Sequence, residues 1–129
     1  MAVTAAIAGD GASAALGASG PVAMDEDLAR ALAAAPAVAA AGVVVSTDLF
    51  YDERAGRAEG WAASGALAVE MEAAAIGTLA ARYGAVGGCL LAVSDTGLLE
   101  PGTRRRLGGE GLEHAGLELG RTAWAAISA

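Results

Sequence analysis

Two carboxylates flank a methionine in Glu70-Met71-Glu72, just where an apolar strand pattern gives way to a helical one. A carboxylate can accept hydrogen bonds from the hydroxyls of a polyhydroxyl ligand. Acids at a strand-to-helix junction also have a plainer use, because the first turn of a helix carries unpaired N–H groups and the positive end of the helix dipole. One acid satisfies that need. A second, directly after an apolar strand, costs desolvation energy unless it has a partner, so a helix start and a polyhydroxyl ligand both remain open. Further along, Ser94-Asp95 follows the apolar run Gly88 to Val93. An acid beside apolar walls is expected to have a raised pKa and to act as a general acid; as an alternative, Asp95 simply caps the next loop. Phe50 and Tyr51 form an adjacent aromatic pair in a chain with 4% aromatic residues, suited either to a flat ligand or to capping a core.

The elements that must position these groups alternate between strand and helix. Val3 to Ala8 fits a strand. The following Gly9-Asp10-Gly11-Ala12-Ser13-Ala14 matches a dinucleotide-binding turn in form, but Gly17, Gly20 and Pro21 prolong it, so Gly9 to Pro21 is expected to be a loop. Asp25-Glu26-Asp27 reads as a cap and charged first turn ahead of the apolar face Leu28, Ala31 and Leu32, with Pro36 ending the helix. Val43-Val44-Val45 is β-branched on both faces, as in the centre of a parallel sheet, and delivers Ser46-Thr47-Asp48-Leu49-Phe50-Tyr51 at its carboxyl end, where open α/β sheets bind ligands. Asp52 to Gly60 reads as a charged connector and Trp61 as an anchor for the next segment. Ala66 to Val69 reads as a short buried strand; Ile76, Leu79, Ala80 and Tyr83 recur at helical spacing after it. Gly88 to Val93 reads as a second central parallel strand, Gly97 to Gly109 as a basic, glycine-rich loop with Arg104-Arg105-Arg106, and Gly111 to Ile127 as a final helix with Leu112, Ala115, Leu119, Ala123 and Ile127 on one face. The expected class is α/β with a mostly parallel central sheet, and Phe50, Glu72 and Asp95 are expected to converge at its carboxyl edge.

Glu70-Met71-Glu72 with its alanine-rich continuation, Asp48-Leu49-Phe50-Tyr51 before it and Val93-Ser94-Asp95 after it resemble, in order and spacing, the C-terminal half of the purine nucleoside and uridine phosphorylase family. The resemblance spans essentially the whole chain and implies part of a three-layer αβα nucleoside phosphorylase fold. The family's N-terminal half, with its glycine-rich phosphate loop and phosphate-binding arginines, has no counterpart here. By resemblance, Phe50 packs on the nucleobase, Glu72 accepts from the ribose hydroxyls, Met71 packs on the sugar, and Glu70 sits nearer the base or braces the site. Ser94 binds the substrate beside Asp95, which would protonate a purine as it leaves. That residue favours a purine over a uridine substrate. An arginine commonly follows the family's aspartate at a short distance; which of Arg104, Arg105 and Arg106 would serve is left open. The implied reaction is phosphorolysis of a purine nucleoside to free base and ribose 1-phosphate, with phosphate as co-substrate, no cofactor, no metal, and a homo-oligomer as the assembled form. A hydrolytic nucleosidase of the same superfamily and a non-catalytic remnant that binds nucleoside or a partner are the alternatives. The chain alone is not expected to be a competent phosphorylase.

Composition narrows the partners. The chain has 129 residues, 55% hydrophobic, enough for one domain with one core. A formal net charge of -7 argues against long nucleic acid, which requires a cationic surface. The longest apolar stretch, Ala31 to Val45, is broken by Pro36 and too short to span a bilayer, and the N-terminus lacks the basic segment of a secretory signal, so a cytoplasmic protein away from membranes is expected. Cys89 has no internal disulfide partner and reads as a buried, inert thiol; His114 is the only histidine, leaving no basis for a metal or a histidine triad.

Overall fold

The computed structural model describes residues 1–50, 52, 54–96 and 103–128. Its organising strand is β1 (Ala2–Gly9), which pairs in parallel along its whole length with β3 (Ala41–Thr47). β4 (Ala68–Glu70) extends the sheet in parallel beyond β3, bringing Glu70 opposite Ser46. On the other side of β1, β2 (Gly20–Ala23) returns antiparallel against Ala5 to Ala8. The order β2-β1-β3-β4 makes a mixed α/β fold with a mostly parallel central sheet, as expected. Val3, Ala6 and Val44 of the two central strands are fully buried and form the core with Met24, Ala29, Ala73 and Ala74.

The loop expected from Gly9 to Pro21 is instead a short helix, α1 (Gly11–Ala15), followed by β2. Asp10 supplies the reason: it caps α1, accepting from the Ser13 N–H at 2.7 Å, and Gly17 and Gly20 take positive φ only after the helix has ended. The acidic run at Asp25 behaves as read. Asp25 accepts from the Leu28 N–H at 2.9 Å and starts α2 (Glu26–Ala33), whose Ala29 and Leu32 are buried. A helix also begins inside the expected connector: α3 (Arg57–Ala63) includes Trp61, over which the Arg57 guanidinium lies 5.4 Å from the ring centroid.

Two strands differ from expectation in a way that matters for the site. β4 is an edge strand rather than a buried one, with Leu67 and Val69 partly exposed. The run Gly88 to Val93 yields only β5 (Cys89–Leu90), and it is antiparallel to β1, pairing with Ala2 and Val3. β3 covers one side of β1 throughout, β2 occupies the other from Ala5 onward and the Thr4 carbonyl accepts from the Met24 N–H, so only Ala2 and Val3 remain for a further partner. An apolar run is a necessary condition for a central strand, but a free ladder decides whether one forms.

Helix α4 (Ala73–Tyr83) returns over the sheet, and here too the buried face is not the obvious one. Ala73, Ala74 and Gly77 are buried, whereas Ile76, Leu79 and Tyr83 point outward. A side chain at Gly77 would meet Val22 at 3.0 Å and Met24 at 3.1 Å, so the helix approaches the sheet through its small residues. The last helix, α5 (Gly109–Ile127), packs on α2 with Ala115, Leu119 and Ala123 half-buried, while Leu112, Ile127 and His114 are exposed.

Candidate functional site

The carboxyl edge of the parallel strands collects three junctions: Asp10 after β1, Asp48 to Phe50 after β3, and Met71-Glu72 after β4. The ends are tied together by side chains. Asp48 accepts from the Gly11 N–H at 2.7 Å, linking the end of β3 to the start of α1.

At β4 the two acids of Glu70-Met71-Glu72 divide the work. Glu70 Oε2 accepts from the backbone N–H of Glu72 at 2.8 Å and of Ala73 at 2.6 Å, while its Oε1 accepts from the Ser46 hydroxyl. Ser46 Oγ in turn accepts from the Ala74 N–H at 2.8 Å. The unpaired donors at the start of α4 are thereby satisfied from outside the helix. Glu72 stands at the N-cap position, yet its side chain makes no capping bond and, among the described residues, has no hydrogen-bond or ion-pair partner. It is exposed beside Met71, whose side chain is 37% exposed. Glu70 thus performs the helix-start role, and the Glu72 carboxylate is not used by it.

Phe50 lies past the end of β3 with 63% of its surface exposed, an apolar ring at the same edge. Two residues on, Asp52 accepts from Arg54 at 2.7 and 2.5 Å and from Arg57 at 3.2 Å. The Arg54 hydrogen bond holds the Asp52 carboxyl down at about 2. Tyr51 lies outside the described residues.

Ser94 and Asp95 are not brought to this edge. Because β5 runs antiparallel, the chain leaves the sheet beside Met1, where β1 begins; the Met1 amine donates to the Leu91 carbonyl at 2.6 Å and the Leu91 N–H to the Met1 carbonyl at 2.9 Å. Asp95 then opens β6 (Asp95–Thr96), which pairs with β7 (Arg105–Arg106) in a separate two-stranded ribbon. There it accepts from Arg104 Nη2 at 3.0 Å and from the Ser94 hydroxyl at 3.1 Å, with Arg106 at 3.9 Å. The raised pKa expected for Asp95 is reversed: the Arg104 hydrogen bond lowers it. Of the loop expected from Gly97 to Gly109, residues 97–102 lie outside the described residues.

A cleft of about 280 Å³ lies at the opposite end of the sheet, lined by Met1, Val38, Leu91, Val93 and Leu119. It holds neither Phe50 nor the Glu70-Met71-Glu72 group and is not the site assembled above. Cys89 is half-buried, and burial pushes its thiol up to about 11, which suits the inert role expected of it. Among the described residues no His, Cys, Asp and Glu cluster could hold a metal ion, and no helix is long and apolar enough to cross a membrane.

The model of the phosphorylase superfamily matches residues 1–121. The chain belongs to that superfamily. Its similarity to purine nucleoside phosphorylases is concentrated in part of the sequence. It is 49% identical over 55 residues to the DeoD-type purine nucleoside phosphorylase of Alkaliphilus metalliredigens, a stretch that is 43% of this chain and 24% of that protein. With the DeoD-type enzyme of Jannaschia sp. it shares 51% identity over 59 residues, 46% of this chain and 25% of the relative. The corresponding Clostridium perfringens protein is 46% identical over 54 residues, 42% and 23% of the two chains. The matched stretch is about a quarter of the length of these curated relatives. This superfamily member is therefore nucleoside phosphorylase-like.

The residue that sequence reasoning passed over is Ser46. It was legible only as a small polar residue ending a β-branched strand, and its contacts with Glu70 and Ala74 depend on β4 lying alongside β3.

Proposed function

We propose that this chain carries the nucleoside-binding part of a purine nucleoside phosphorylase, with Glu72 accepting from the ribose hydroxyls, Met71 against the sugar and Phe50 against the base. The observation that carries the reading is the unengaged Glu72 carboxylate at a helix start already satisfied by Glu70 and Ser46. A cis-diol offers two O–H donors to such a carboxylate, and a planar base offers an apolar face to an exposed ring. The purine preference is supported by the relatives, which are named purine nucleoside phosphorylases. For the assembled enzyme, with phosphate as the nucleophile and a homo-oligomer as its form, Asp95 would serve as proton donor only by leaving Arg104 and reaching this edge. In the arrangement described here, Asp95 is held by Arg104.

Phosphate binding is proposed to depend on polypeptide other than this chain. Holding a doubly charged anion under a sugar takes several N–H donors and cationic side chains. Among the described residues every arginine except Arg105 already donates to, or pairs with, an acceptor in the chain, as with Arg57 on Asp52 and Arg104 on Asp95. The test is calorimetric titration with inosine, guanosine and adenosine and with their free bases, beside an assay of base release with and without phosphate. Nucleosides should bind more tightly than bases without rapid turnover. Equal affinity for nucleoside and base would overturn the ribose assignment; robust phosphate-dependent release would overturn the dependence on further polypeptide.

A further inference from the structure

Resting on that ribose assignment, we propose that Ser46 is a positioning residue, whose hydroxyl sets the backbone at the start of α4 so that Glu72 faces the sugar instead of capping its own helix. Ser46 is fully buried, next to last in β3, paired in register with Ala8 on one side and Glu70 on the other. Its hydroxyl donates to Glu70 and accepts from the Ala74 N–H, and Glu70 accepts from the N–H groups of Glu72 and Ala73. Three consecutive backbone N–H groups, 72 to 74, are therefore held by two side chains anchored on adjacent strands. A helix start is ordinarily satisfied by the N-cap side chain itself, as Asp10 does for α1 and Asp25 for α2. At α4 that work is moved to Ser46 and Glu70, and the N-cap residue is an acid with no capping bond.

The transfer has a cost that stability alone does not explain. A buried hydroxyl must keep partners or forfeit its lost hydration, whereas an ordinary Ser or Asp at position 72 would cap the helix from an exposed place. What the arrangement gains is a fixed N-cap backbone with a free carboxylate. Sugar hydroxyls are discriminated by acceptors held to within about 0.5 Å, which an exposed, self-capping side chain would not provide while engaged with its own helix.

The experiment measures inosine and hypoxanthine affinities of the full chain by calorimetry for the parent, Ser46→Ala, Ser46→Cys and Glu72→Gln, with far-UV circular dichroism on each. Ser46→Ala should weaken inosine binding about tenfold, the worth of one lost hydrogen bond of this kind, and leave hypoxanthine binding within twofold. The isosteric Ser46→Cys, with its weaker donor, should lose less, and it carries the comparison if Ser46→Ala does not fold. A general structural role would reduce both ligands alike, and that result, or inosine affinity within twofold of the parent in the folded Ser46 variants, overturns the proposal. If Glu72→Gln lowers the inosine-to-hypoxanthine ratio while the Ser46 variants leave it unchanged, the ribose assignment stands and the positioning role falls. If Glu72→Gln leaves the ratio unchanged, both fall together.

Discussion

Replacing Glu70 by alanine should cost more than an ordinary helix-cap loss, because three donors depend on one carboxylate. The Glu72 N–H lies at the exposed surface and can turn to water, so its loss is close to the net value of an ordinary hydrogen bond, about 1 kcal/mol. The Ala73 N–H is part-buried and recovers less. Ser46 is fully buried, and its hydroxyl would be left without an acceptor, a penalty of about 1–3 kcal/mol. Together these predict a loss of about 2–4 kcal/mol, which for a domain of this size lowers Tm by roughly 10 °C. Glu70→Gln keeps one carbonyl oxygen and the same shape, so it should lose only about half as much. Urea unfolding followed by circular dichroism measures both. A Glu70→Ala variant within about 0.5 kcal/mol of the parent, the range of an inert surface change, would refute the capping role and with it the division of labour between Glu70 and Glu72.

Ser13 is fully buried in α1, and among the described residues its hydroxyl has no hydrogen-bond partner, so Ser13→Ala should leave stability unchanged or raise it by about 1 kcal/mol in the same urea titration. Asp52 has a folded pKa of about 2 against an ordinary 3.8, so the stabilisation from its contacts with Arg54 and Arg57 is complete above the ordinary value and is lost as pH falls through about 2. Trp61 fluorescence, sensitive to the Arg57 stacked on it, should change over that acid range in the parent and show no such step in Asp52→Asn. Arg104→Ala should let the Asp95 pKa rise from its lowered value, observed by carbon NMR titration of the carboxyl group; an unchanged titration would show that Arg104 does not control it.

The parts of the fold legible in the sequence are those governed by local rules. Val43 to Thr47 reads as a strand because three β-branched residues have no polar face to expose, and Asp25 reads as a cap because acids there answer the free N–H groups of α2. Misreadings arise where a long-range contact decides. Ile76, Leu79 and Tyr83 carry the helical period of α4, but the face that meets the sheet is Ala73, Ala74 and Gly77, because Val22 and Met24 leave room only for small residues. Apolar periodicity identifies a helix; the shape of the opposing surface selects its buried side. Gly88 to Val93 fails for a different reason, since its composition suits a central strand but β2 already fills the ladder it would need.

The candidate site divides along the same line. Phe50, Met71 and Glu72 share the carboxyl edge because β3 and β4 are parallel, and one residue pair, Ser46 with Glu70, is enough to fix that relation. Glu72 could be singled out from Glu70 only after the hydrogen bonds were known, because spacing places both acids at the helix start and does not say which one is consumed by it. Asp95 depends on the direction of β5, a property that no local pattern encodes. Once β5 turns antiparallel, Asp95 is carried to the end where β1 begins, and Arg104 and Arg106, supplied by the same stretch of sequence, become its partners instead of a distant patch. The group with the strongest claim to a ligand is therefore the one whose position follows from parallel neighbours in the sheet, and whose carboxylate the helix does not use.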